Sequence, residues 1–261
     1  MTPEPDQPVG RNGQDAKTPP AGPPLLLEPA GANSQQIPPP RGPSAVPTGH
    51  GWDWIARGFG YFRSNPGAWI LAILIFFGLS ILLSFIPFVG SLGVSLLATV
   101  FTGGLMLGVR EQEDGRPFRV EHLFAGFSNH AGQLMLVATL YFVGTLIIVV
   151  LIGAWMFAVA MLEVVGPSFL IPLLVGSLFL IPLMMAYFFA PALVVLDGLS
   201  ATAAMRLSFA GCLKNVLPFL LYGLIGLVLF FLAAIPFGLG LLIVVPAFVA
   251  SVYAAYQDIY A

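Results

Sequence analysis

The stretch WILAILIFFGLSILLSFIPFVGSLGVSLLATVFTGGLMLGV, Trp69 to Val109, contains no Asp, Glu, Lys or Arg. A membrane-crossing helix needs about 20 predominantly apolar residues. This run is long enough for two, with Pro87 to Gly90 as the break between them, because proline stops a helix and glycine supplies the conformations of a reversal. Three more uncharged blocks follow, His122 to Leu162, Val164 to Leu196 and Asn215 to Gln257. The first two hold one span each, and the last holds two, split at Pro236 to Gly240. The middle reversal falls at Glu163 to Ser168, around Gly166-Pro167. The chain is therefore predicted to be an all-α integral membrane protein with six transmembrane helices, over residues 67–86, 89–109, 133–160, 169–196, 216–235 and 238–257.

Composition supports that reading. Hydrophobic residues make up 58% of the 261 and charged residues only 8%, where a soluble domain carries about 25% charged residues. Such a chain cannot cover itself with a water-compatible surface, so the lipid bilayer is its expected solvent. The net charge of −2, with ten Lys and Arg, leaves no basic stripe for nucleic acid. Residues 1–50 differ from the rest: they hold 13 of the 23 prolines, including Pro38-Pro39-Pro40, and no apolar periodicity. They are expected to form a disordered, Pro-rich tail, able to dock a partner in polyproline II form, ahead of a transmembrane domain over 51–261. The longest apolar run before Trp52 is Leu25-Leu26-Leu27, short of a signal-peptide core. Targeting is expected to rest on the first span.

Charge distribution gives an orientation. Arg11, Lys17, Arg41, Arg57 and Arg63 precede the first span, and Arg110, Arg116, Arg119, Arg206 and Lys214 lie in the two longer connections. With six spans, all ten fall on one side, which the positive-inside rule makes cytoplasmic together with both termini. A seventh span within 133–196 would move Arg206 and Lys214 to the other side.

A short repeat precedes each odd-numbered span: Phe59-x-x-Phe62-x-x-Asn65, Phe124-x-x-Phe127-x-x-His130 and Phe209-x-x-Cys212-x-x-Asn215. The spacing is helical, and the unit reads as an interfacial amphipathic helix followed by a transmembrane hairpin, three times over. Ile55, Phe59 and Phe62 are expected to face lipid opposite Arg57, Gly60 and Ser64, and Met205, Phe209 and Cys212 opposite Arg206. Asp114-Gly115 and Asp197-Gly198 suit turns at the membrane surface. Asn65-Pro66 suits a helix start. Trp52, Trp54, Tyr61, Tyr187, Tyr253 and Tyr256 read as a cytoplasmic aromatic belt.

Chemistry is sparse. The predicted spans carry no charge, where an ion-coupled transporter would keep a buried carboxylate. His122 and His130 lack the three or four convergent ligands of a metal site, and His50 stands alone. Cys212, the single cysteine, has Lys214 nearby but no histidine base. No catalytic, cofactor-binding or metal-ligating set is expected. Gly104-x-x-x-Gly108 fits close helix packing, within the bundle or in a homo-oligomer. Ser80, Ser84, Ser91, Ser95, Thr99 and Thr102 either line a polar crevice or bond their own backbone.

Four segments together resemble an uncharacterised family of bacterial, mostly proteobacterial, six-helix inner-membrane proteins. They are Gly51-Trp52-x-Trp54-Ile55-x-x-Gly58-Phe59-x-x-Phe62-x-x-Asn65-Pro66, Phe189-Ala190-Pro191-Ala192-Leu193-Val194, Ser208-Phe209-x-x-Cys212-Leu213-Lys214-Asn215-x-x-Pro218 and Tyr253-x-x-Tyr256-x-Asp258-Ile259. The resemblance covers residues 51–261 and implies a bacterial inner-membrane location, with no activity to carry over. Three functions fit. The first is a non-enzymatic adaptor, assembly or envelope-organising protein that uses its tail or amphipathic helices to reach a membrane or cytoplasmic partner. The second is a passive or partner-energised transporter of a small or lipophilic substrate. The third is a lipid-acting enzyme, which would need His122, His130, Asp197 or Asp258 to converge.

Overall fold

A computed structural model describes residues 42–87, 89–128, 130–161 and 170–261. Its elements are α1 (His50–Ser64), α2 (Pro66–Ser84), α3 (Val89–Glu113), a 3₁₀ helix (Val120–Phe127), α4 (Ala131–Met161), α5 (Leu170–Phe188), α6 (Ala190–Asp197), α7 (Ala201–Lys214), α8 (Val216–Ala234) and α9 (Leu241–Tyr260). Among the described residues six helical segments are long and apolar enough to cross a membrane, with α5 and α6 forming one of them. They match the six predicted spans, with ends displaced by a few residues. The middle reversal, with Glu163 and Gly166-Pro167, lies outside the described residues, as do residues 1–41 of the expected tail.

The spans are not equivalent. About half of α3 and α9 is buried (50% and 56%), against 17%, 11% and 22% for α2, α4 and α8. The second span of each hairpin is thus central and the first peripheral. The buried residues of α2 (Trp69, Ala72, Ile73) and of α4 (Leu134, Val137, Ala138) all lie near their starts. The core therefore sits at the end of the bundle where the charged connections lie. Toward the opposite end Leu82, Phe157 and Phe231 are exposed, as lipid-facing residues should be.

Each amphipathic element packs on the second span of a neighbouring hairpin. The most extensive contacts are α1 with α9, the 3₁₀ helix with α3, and α7 with α5. The three pairs close a ring: hairpin one leans on three, two on one, and three on two. This corrects which residues of the amphipathic elements were expected to face lipid. Ile55 and Phe62 are buried in the protein core rather than facing lipid, and so is Cys212. The second amphipathic element is a 3₁₀ helix rather than an α-helix.

Glycine permits these contacts. A Cβ on Gly58 would strike the Ala247 carbonyl and lie 2.7 Å from the Ser251 Cβ. Gly104 meets the His122 carbonyl, and Gly108 lies against Phe118 and His122. The Gly104-x-x-x-Gly108 pattern therefore serves packing inside the bundle.

The aromatic belt is corrected as well. Trp54, Tyr253 and Tyr256 are core residues. Tyr187 shares a hydrogen bond with Thr99 (2.9 Å) and packs on Tyr141. Trp52 alone of the six is strongly exposed, at 54%.

The break between α5 and α6 has a local cause. In a regular helix the Phe189 N–H would reach the Met185 carbonyl. Instead Ser208 of α7 inserts, accepting from the Phe189 N–H (2.9 Å) and donating to the Met185 carbonyl (2.6 Å). Pro191 has no N–H to continue the ladder. A side chain inserted into the ladder is a recognised origin of kinks.

Candidate functional site

The charged residues of the described chain collect at one end, where the three central spans finish. Each of these spans carries an acid in its last turn: Glu113 on α3, Asp197 on α6 and Asp258 on α9. Asp258 binds α1. Its carboxylate accepts from Trp54 Nε1 (2.7 Å), lies 2.9 Å from His50 Nδ1 and pairs with Arg57 at 2.7 Å. Arg57 also donates to the Ala254 carbonyl (2.9 Å). Charge-assisted bonds of this kind are the stronger ones. Glu113 accepts from the hydroxyls of Tyr61 and Tyr253 and from the Gln257 amide, tying α3 to α1 and α9. Burial first, then the neighbouring Glu113, pushes the Tyr61 phenol well above its ordinary range, so it stays a donor. Asp197 accepts from the Tyr256 hydroxyl (2.8 Å), which links α6 to α9.

Extended segments close the remaining junctions. Ahead of α1, Val46 N–H donates to Asn215 Oδ1 (2.8 Å), the Asn215 amide donates to the Ser44 carbonyl (2.8 Å), and Ser44 N–H donates to the Ile259 carbonyl (2.7 Å). The expected disorder up to residue 50 thus does not hold for 43–50, because buried Asn215 needs partners and the strap supplies them. Ahead of the 3₁₀ helix, the Phe118 carbonyl accepts from the Asn65 amide (2.8 Å). Phe118 stacks on Trp69 with ring centroids 4.1 Å apart. At the first residue of α7, Ala201 N–H donates to Gln133 Oε1 (2.8 Å). The two straps and the start of α7 thus each clasp the hairpin on which their helix leans.

The candidates from the sequence are held apart by this scheme. His122 accepts from the Arg119 N–H at Nδ1 (3.0 Å), so Nε2 carries the proton it shares with Glu111 (3.0 Å). Asp197 belongs to Tyr256 and Asp258 to α1. Among the described residues no hydrogen bond joins any two of His122, His130, Asp197 and Asp258, and no group of three metal-ligating side chains occurs. Cys212 is buried, its thiol lies 3.6 Å from the Met185 carbonyl, and burial pushes its pKa up to about 12. Ser80, Ser84, Thr99 and Thr102 each donate to the carbonyl four residues earlier, which is the backbone reading rather than the crevice.

One polar cavity opens among these clasps. It has a volume of about 230 Å³ and is lined by Arg110, Leu196, Asp197, Tyr253, Tyr256, Gln257 and Ala261. It lies where the ends of the central spans meet. The sequence pointed to Asp197 as part of a surface turn and to Asp197 and Asp258 as members of a converging set, and it did not single out Glu113. The available signal was that every second span of the three repeats carries an acid in its last turn.

Among known proteins, the chain is 27% identical over 223 residues to a Burkholderia thailandensis protein described as a probable inner membrane protein. The match covers 78% of this chain and 80% of that one. No protein-family model matches the chain, and no solved structure matches it. The comparison agrees with the resemblance to proteobacterial inner-membrane proteins. With six apolar helices, the chain is a multi-pass inner-membrane protein.

Proposed function

We propose that this protein is a non-enzymatic membrane adaptor, whose charged end lies in the cytoplasm and presents a rigid plate to a protein partner. The observation that carries this reading is the use made of polar side chains. Glu113, Asp258, Asn65, Asn215 and Gln133 all bridge separate elements. Side-chain hydrogen bonds that join separate elements restrict how those elements move against one another. A stiff plate built from three hairpins suits holding something in place better than turning over a substrate. The transporter alternative loses much of its motive, since the hydroxyls of Ser80, Ser84, Thr99 and Thr102 bond their own backbone. The lipid-acting enzyme loses the convergence it requires.

Two experiments test the reading. A photo-crosslinking amino acid at exposed Trp52, Arg63 or Arg206 should give discrete protein adducts in growing cells, identified by mass spectrometry and reproduced from the partner's side. The same probe at lipid-facing Leu227 should not. Adducts absent from the charged end, or equal at Leu227, count against an adaptor. For orientation, reporters fused after Gly115 and after Leu239 should report opposite sides, with Gly115 in the cytoplasm. The reverse pattern overturns the topology.

A further inference from the structure

The ring of hairpins has three seams, each between the second span of one hairpin and the first span of the next. Two are closed: α4 packs along α3, and α2 packs on α9. The third, between α5 and α8, is bridged mainly by α7, and here an apolar groove of about 390 Å³ opens. Met184 and Phe188 form one wall, Leu220 and Gly223 the other, and Cys212 and Val216 close it at the charged end.

We propose that this groove holds one acyl chain of an anionic phospholipid, whose phosphate is met by Lys214. Size selects the occupant. A spanning helix displaces on the order of 2,000 Å³, several times the groove, whereas an acyl chain is a thin rod. The groove runs along α8 from Val216 to Gly223, about 10 Å at 1.5 Å per residue. That is most of one leaflet's hydrocarbon, about 15 Å, and it starts at the charged end, where a headgroup would sit. Charge selects the headgroup. Exposed Lys214 lies two residues from both Cys212 and Val216, and its ammonium uses one donor on the Pro43 carbonyl (2.8 Å), leaving others for a phosphate. The two closed seams serve as internal controls, because equivalent helices there pack directly.

The full-length protein reconstituted in vesicles of phosphatidylglycerol and phosphatidylcholine tests this. A trace of phosphatidylglycerol with a photoreactive acyl chain is added and adducts are mapped by peptide mass spectrometry. Adducts should concentrate at Met184, Phe188 and Leu220 over exposed Leu146 and Leu227, which lie outside the groove. A Cβ on Gly223 would meet nothing within 4 Å, so Gly223→Phe should fill the groove without disturbing the fold and reduce groove adducts about tenfold. Met184→Trp is a second filling variant, should the first not fold. Lys214→Gln should abolish the preference for the phosphatidylglycerol probe over its phosphatidylcholine counterpart. Equal labelling of groove and control positions, labelling unaffected by both filling variants, or a headgroup preference unchanged by Lys214→Gln overturns the proposal. So does a protein adduct in cells from a photo-crosslinker at Leu220, which would give the groove to a partner helix.

Discussion

Gly58 shows how much a single hydrogen decides. It lies in the middle of α1, where glycine costs about 0.5–1 kcal/mol relative to alanine, and two residues away sits another glycine, Gly60. The first touches the backbone of α9, while a Cβ on the second would meet nothing within 4 Å. Gly58→Ala should therefore destabilise by about 1–3 kcal/mol through overpacking. Gly60→Ala should stabilise by up to about 1 kcal/mol through helix propensity. Thermal unfolding of the detergent-solubilised protein separates them, and equal melting temperatures would refute the close α1–α9 contact. Cys212 gives a second prediction at this scale. Its thiol is buried and its pKa is raised from the usual 9.0 to about 12. Folding thus favours the protonated form, so this group's stabilising contribution is complete below about pH 9 and is lost as pH rises toward 12. A membrane-permeant maleimide should label native protein slowly at pH 8 and rapidly after denaturation. Rapid native labelling would contradict the burial. The sequence marked Cys212 as unusual because it is single, but neither its burial nor the role of Gly58 was legible. Both depend on which helix lies opposite.

The helices were legible for a simple reason: a span must be apolar along its whole length, and hydropathy measures that directly. The amphipathic elements were legible too, since a 3.6-residue period identifies an apolar face. What that face meets was not. Lipid and a neighbouring helix are equally apolar, so the periodicity of Ile55 and Phe62 fits either, and the structure chose protein. Asn65 and Asn215 illustrate the same limit. Both stood out as the last position of a repeat ahead of a span, and Asn65, also read as a helix start, does accept from the Ala68 N–H (3.4 Å). Their larger task, holding a strap distant in sequence, leaves no local trace. That task is testable. Asn215 is buried and bonds Ser44, Val46 and Gly211. Asn215→Ala should cost about 2 kcal/mol, because groups of the strap lose their partner. The strap should also loosen, so that protease added on its side of vesicles cleaves within residues 42–49 faster than in the parent. Unchanged cleavage would mean that the Ser44–Ile259 bond and the Lys214–Pro43 bond suffice.

At the scale of the whole molecule, the order of hairpins along the chain differs from the order of their dependence. In a linear string, hairpin one would need only hairpin two. Here α1 rests on α9 and α8, with Trp54 against Phe219 and Tyr222, and its Asp258 partner lies 204 residues away in sequence. Hairpin one therefore cannot finish folding until hairpin three has been made. A chain cut after Leu199 makes the difference measurable. Residues 1–199 alone retain both of the first two hairpins and the contact of the 3₁₀ helix with α3. They lose the bed of α1, leaving Trp54, Ile55 and Phe62 without cover, and exposed apolar surface of this kind invites aggregation or degradation. Expressed alone, this fragment should be unstable in the membrane. Expressed with residues 200–261 in trans, the two should co-purify as a monodisperse complex, because the ring contacts do not require the covalent link at 199–200. A fragment 1–199 that is stable and monodisperse by itself would show that α1 needs no partner in hairpin three, and the ring would reduce to a string.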